Sequence, residues 1–119
     1  MNLRRESIPP PAVAEPGLLL PGNRFVTLKV PVVIGRDPDP ARGAPGSAPL
    51  SVAEPSLSKT HLAVSFGPGG FRITDLHSSN GTIVEVAGTQ TPCAPGVEVI
   101  VPQGAALIAG ALVIEVVGP

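Results

Sequence analysis

The sequence has 119 residues and a formal net charge of −1, from eight Lys and Arg against nine Asp and Glu. That length fits one domain able to bury roughly two-thirds of its unfolded surface. The near-neutral charge argues against a surface built to hold a nucleic-acid backbone, which needs many Lys and Arg contacts to phosphates. The one cysteine, Cys93, excludes an internal disulfide and has no second thiol to share a metal, consistent with a reducing compartment.

Hydrophobic residues make up 43% of the chain, yet the aromatics are three Phe, so a core has to come from Val, Ile, Leu and Ala. This is strand-favouring material. Sixteen Pro and fourteen Gly interrupt it so often that no window supports a well-packed helix. The expected class is all-β.

Residues 1–16 mix charges with prolines and show no alternation, which predicts a flexible, Pro-rich tail. Arg4 and Arg5 are followed by Pro9-Pro10-Pro11 rather than the apolar run of a signal peptide. No later stretch reaches about 18 apolar residues. A soluble, cytoplasmic module without membrane contact is therefore expected, either alone or as the cytoplasmic part of a larger, membrane-associated protein.

The domain is expected over residues 17–119. Short apolar runs alternate with turn signals: Leu18 to Leu20, a Pro21-Gly22-Asn23 turn, Phe25 to Val30, and Val32 to Arg36. Residues 37–49, with Pro38, Pro40, Pro45 and Pro49, predict a long irregular loop. His61 to Phe66 and Phe71 to Asp75 form a hairpin across Gly67-Pro68-Gly69-Gly70. Thr82 to Val86, Val97 to Val101, Ala106 to Ile108 and Leu112 to Val117 complete the series. About ten short strands at this spacing point to a sandwich.

Three clusters fall at the ends of these strands: Gly35-Arg36, Ser58-Lys59-Thr60-His61 and Ser78-Ser79-Asn80-Gly81-Thr82. They supply a guanidinium, an ammonium, hydroxyls and an amide. Such a set suits a dianionic phosphate, because Arg grips two oxygens at once, Lys adds a point charge and Ser hydroxyls donate to the remaining oxygens.

The order Gly-Arg, Ser-Lys-x-His and Ser-Asn-Gly-Thr resembles the forkhead-associated (FHA) domain over roughly residues 17–118. Asp75-Leu76, Pro95-Gly96, Gly104 and Gly110 add to the likeness. The resemblance implies an FHA-like β-sandwich of about eleven strands in two sheets, whose loops at one end hold a phosphothreonine peptide. By motif position, Arg36, Ser58 and Lys59 would contact phosphate, Ser79 would bond near the phosphothreonine, and Asn80 would hold the peptide backbone. Gly35, His61, Gly81 and Thr82 would be structural.

Lys59 stands where the family commonly has Arg, and His77 where Gly is frequent, which implies a differently shaped turn backbone. The Pro-, Ala- and Gly-rich composition resembles coding by a GC-rich genome, so the bacterial, actinobacterial-like branch is expected. The implied partners are a phosphothreonine-containing protein or peptide and an upstream Ser/Thr protein kinase, with no nucleic acid and no cofactor. The alternative is a phosphate-independent FHA-like scaffold.

Ser58, His61 and Asp75 also form a nominal Ser-His-Asp set. A Ser-x-x-His on a loop entering a strand makes no strained nucleophile elbow, and no Gly-x-Ser-x-Gly is present. No enzymatic activity is expected. His61 and His77 are the only histidines and have no clustered carboxylates, so no metal site is expected either.

Overall fold

The computed structural model of the protein describes residues 15–119. Eleven strands occur in the order β1 (Gly17–Leu20), β2 (Arg24–Thr27), β3 (Val32–Gly35), β4 (Ala48–Ser51), β5 (Leu62–Gly67), β6 (Gly70–Asp75), β7 (Thr82–Val86), β8 (Thr89–Pro92), β9 (Val99–Val101), β10 (Ala106–Ala109) and β11 (Leu112–Val117). They form a six-stranded sheet, β2-β1-β11-β10-β7-β8, and a five-stranded sheet, β4-β3-β5-β6-β9. No helix among the described residues is long and apolar enough to cross a membrane.

Alternation decides which residues meet between the sheets. Leu18 and Leu20, Leu112, Ile114 and Val116, and Leu107 point inward from one sheet, and Ile34, Leu62, Val64, Phe71 and Ile73 from the other. Each fully buried side chain of this kind contributes roughly 1.5–3 kcal/mol.

Of the expected tail, residues 1–14 lie outside the described residues. Pro16 O already accepts a hydrogen bond from Leu28 N at 2.8 Å, so backbone pairing reaches one residue beyond the expected boundary.

Two strands are absent from the sequence reading. The segment read as a loop over 37–49 ends at Ser47, because Ala48 and Pro49 belong to β4, which pairs parallel with β3. A parallel partner needs a crossover of a dozen or more residues, and residues 36–47 supply it. Pro49 is tolerated because β4 is an edge strand. The crossover also covers the outer face of β3. A Cβ on Gly43 would lie 2.5 Å from Val33 Cγ2, and Val33 is fully buried although it points away from the core. This double cover is why β3 is apolar at every position rather than alternating.

The other unread strand, β8, is exposed throughout and leaves no hydrophobic pattern. It exists because Ala87 (φ +51°) and Gly88 (φ +81°) turn the chain back onto β7. Both residues take positive φ, as a tight hairpin requires.

Candidate functional site

Strand β5 is antiparallel to both β3 and β6. The end of β3, the approach to β5 and the end of β6 therefore meet at one edge, and the short β6–β7 loop stays with them. This arrangement brings the three sequence clusters together.

The junction begins at Gly35, whose added Cβ would lie 1.9 Å from Lys59 O. With no side chain there, the two segments approach closely enough for Arg36 N to donate to Ser58 O and Asp37 N to Lys59 O, both at 3.1 Å. Arg36 is exposed, and its Nε donates to Leu57 O at 2.6 Å. This bond orients the guanidinium and leaves both Nη groups without a partner among the described residues.

Ser58 Oγ accepts from Ser79 N at 2.9 Å, so its own proton remains available to a ligand. Lys59 is exposed, as are Ser79 and Asn80. Asn80 Nδ2 donates to Ser56 O at 2.8 Å, and its Oδ1 has no donor among the described residues. Arg36, Ser58, Lys59, Ser79 and Asn80 thus line one edge, offering cations and hydroxyls beside the Asn80 amide oxygen.

Beneath them His61 is fully buried. Its Nδ1 accepts from Ser58 N at 3.1 Å, so the proton is assigned to Nε2, which lies 2.9 Å from Gly81 O and donates to it. The imidazole thereby joins the β5 approach to the β6–β7 loop. Neither ring nitrogen faces Ser58 Oγ, so the nominal Ser-His-Asp set has no nucleophile–base contact. Gly81 has φ +77°, and Thr82, fully buried, donates through Oγ1 to Asp75 Oδ1 at 2.7 Å. His77 has φ +58°, a conformation that Gly enters freely.

Asp75 is fully buried and organises the β6–β7 loop, accepting from Ser78 N at 3.1 Å, Ser78 Oγ at 2.5 Å and Thr82 Oγ1. Burial pushes its carboxyl up, but the Ser78 and Thr82 hydrogen bonds, with His61 nearby, outweigh it and hold the group below its ordinary 3.8. A depressed folded value means this stabilisation is complete above the unfolded value and is lost as pH falls through the folded one. Asp75→Asn, which cannot accept at every position, is expected to lower stability at pH 7 by about 2 kcal/mol. The gap from wild type should narrow below about pH 4 in urea melts across pH. A constant gap would remove the carboxylate from this role.

Cys93 is buried, and burial followed by the Asp75 charge pushes its thiol up, which keeps it unreactive. No group of three or more His, Cys, Asp or Glu able to hold a metal occurs among the described residues. The sequence reading placed Thr60 in a cluster but gave it no role, and its buried Oγ1 accepts from Asp39 N at 3.0 Å. It left out Ser56 altogether, whose Oγ donates to Glu54 Oε2 at 2.6 Å and accepts from Ala111 N at 2.8 Å. The second contact spans 55 residues, and no local signal announces it.

The family model for the FHA domain matches residues 32–107, which run from β3 into β10 and include all three clusters. The chain belongs to the FHA family. FHA domains are interaction modules. No curated protein matches the chain.

Among solved structures, the mycobacterial FhaA FHA domain, complexed with the intracellular domain of another protein, is 23% identical with a TM-score of 0.63, covering 86% of this chain and 99% of its own. An FHA domain solved in a study of phosphothreonine-dependent interactions is 23% identical with a TM-score of 0.65, covering 89% and 98%. The FHA domain of human APLF, in complex with a bisphospho peptide, is 17% identical with a TM-score of 0.66, covering 89% and 100%. At these identities the likeness speaks for the fold.

Proposed function

We propose that this FHA domain is a phosphothreonine-dependent protein-binding module acting in Ser/Thr kinase signalling or complex assembly. The observation that carries the reading is the convergence of Arg36, Ser58 and Lys59 with their donors unused. The Arg36 Nη groups, the Ser58 hydroxyl proton and the Lys59 ammonium all lack partners among the described residues. A phosphate dianion takes such donors, and each charge-assisted bond contributes about 1.5–3 kcal/mol. Two or three of them, less the cost of association, correspond to micromolar affinity. Asn80 Oδ1 accepts a peptide N–H and aligns the chain. The relatives solved with a bisphospho peptide and for phosphothreonine-dependent interactions support this reading.

In this reading the partner is phosphorylated by a Ser/Thr kinase, and the domain, over residues 17–119, works in the cytoplasm. Calorimetric titration of matched phosphothreonine, phosphoserine and unphosphorylated peptides is the test. Phosphothreonine is expected to bind most tightly. Phosphoserine lacks one methyl, and losing its burial costs about 0.8 kcal/mol, roughly fourfold. Affinity is also expected to fall below about pH 6, where the phosphate becomes a monoanion. Equal affinity for phosphorylated and unphosphorylated forms of a genuine partner peptide would overturn the reading in favour of a phosphate-independent scaffold.

A further inference from the structure

The crossover between β3 and β4 is tied to the site along its first half. After Arg36 and Asp37 bond to Ser58 O and Lys59 O, Asp39 N donates to Thr60 Oγ1, and a 3₁₀ turn over Pro40–Arg42 follows, capped by Asp39 Oδ1 accepting from Ala41 N. The turn ends with Arg42 reaching across 34 residues, its Nη2 donating to Leu76 O at 2.8 Å. Leu76 opens the loop that carries Ser79 and Asn80. The crossover thus delivers a guanidinium from the β3 side to the far flank of the β6–β7 loop.

Arg42 is exposed and uses one donor on a carbonyl. Its Nε and Nη1 have no partner among the described residues. Lys29 and Arg72, in contrast, lie against Glu15 and Glu98. Of the nearby acids, Asp75 is buried and saturated, whereas Asp37 and Asp39 are exposed, Asp39 with its Oδ1 already accepting from Ala41 N. Exposed His77 follows Leu76 directly.

Resting on the phosphothreonine reading, we infer that Arg42 is a specificity-determining residue that takes a second anionic side chain of the same peptide. The chemistry fits Asp, Glu or a second phosphorylated residue. The place of that anion follows from the strand frame. Arg36 is anchored at Ser58 and Arg42 at Leu76, with His61 between, since Leu76 N donates to His61 O. Two strand spacings of about 4.8 Å and a short offset give roughly 10–15 Å, the length of about three to five extended residues. The order of contacts along the segment gives the flank, since Asn80 and Ala111 bond at Ser56 and Leu76 bonds at His61, with Ser58 between them. The second anion therefore lies on the side of the phosphothreonine away from the residues that Asn80 holds.

The test is calorimetric titration of phosphothreonine peptides in which Glu, Gln, Lys or phosphoserine is walked from about two to about six positions on either side of the phosphothreonine, on wild type, Arg42→Ala and Arg42→Glu. Wild type is expected to favour Glu over Gln roughly two- to fivefold at one or two positions on one side, as an exposed ion pair allows. Phosphoserine at that position should gain more than Glu. The preference should shrink as salt rises from about 0.05 to about 0.3 M. Arg42→Ala should erase it while the Gln peptides keep their affinity, and Arg42→Glu should turn it into a preference for Lys. A Glu preference that is absent, that survives Arg42→Ala, or that falls only because all peptides weaken equally would make Arg42 a brace between loops and overturn the inference. If no peptide binds better for being phosphorylated, the underlying reading fails first.

Discussion

Replacing Arg36 with alanine is expected to weaken binding of a phosphothreonine peptide about 10²-fold or more while leaving the domain folded. Truncating one partner of a hydrogen-bonded charge pair costs about 2–5 kcal/mol, because the phosphate oxygens it served are left desolvated and unpaired. Ser58→Ala removes one hydroxyl and should lose closer to tenfold, about 1.4 kcal/mol. The fold tolerates the change because the Arg36 side chain is exposed, and the bond that fastens this residue to the β5 approach runs from its backbone N to Ser58 O. Arg36→Lys should fall between, since it keeps the charge but loses the planar fork and the Nε bond to Leu57 O. Titration alongside circular dichroism and thermal melts measures both halves. Wild-type affinity in a folded Arg36→Ala protein would move the phosphate elsewhere.

Gly35→Ala is the variant expected to damage the fold most for the smallest change in mass. A single methyl at this position would sit 1.9 Å from Lys59 O, 2.6 Å from Lys59 C and 2.9 Å from Ser58 O, and all three are backbone atoms. A side chain could swing aside, but these atoms cannot. The end of β3 has to part from the β5 approach, which strains the Arg36 and Asp37 bonds to Ser58 O and Lys59 O. Overpacking of this kind costs about 1–3 kcal/mol and occasionally more, and the upper end is expected here. Urea denaturation measures it, and phosphopeptide affinity should fall as well because Arg36 is carried on the displaced strand end. An unchanged midpoint would mean that the two segments separate freely. Gly81→Ala, with nothing within 4 Å of the added Cβ, should cost only the strain of its φ of +77°, about 1–2 kcal/mol.

The sandwich was legible in the sequence wherever strands alternate or run apolar. Leu62 to Phe66, Phe71 to Asp75 and Leu112 to Val117 announce themselves because one face of each is buried, and burial selects residue type at every second position. Strands β4 and β8 were not legible, since they lie at sheet edges and are held by backbone pairing that any residue can make. The site divides in the same way. Arg36, Ser58 and Lys59 stood out because their charges and hydroxyl suit a phosphate, Ser79 and Asn80 because of their motif position in the FHA resemblance, and within each cluster they are adjacent in the chain.

What the sequence determined by itself is therefore the all-β class, the three clusters and the kind of ligand they suit, since these depend on residue type and local spacing. Tertiary structure alone decided how the clusters are mounted. Gly35 is required by a carbonyl 24 positions away, Asn80 is steadied by Ser56 O, and Arg42 is carried to Leu76 by a crossover whose length is imposed by parallel pairing. Each of these is a contact between segments distant in the chain and mostly involves backbone atoms. Backbone atoms are the same in every residue, so such contacts leave no signature in composition or spacing.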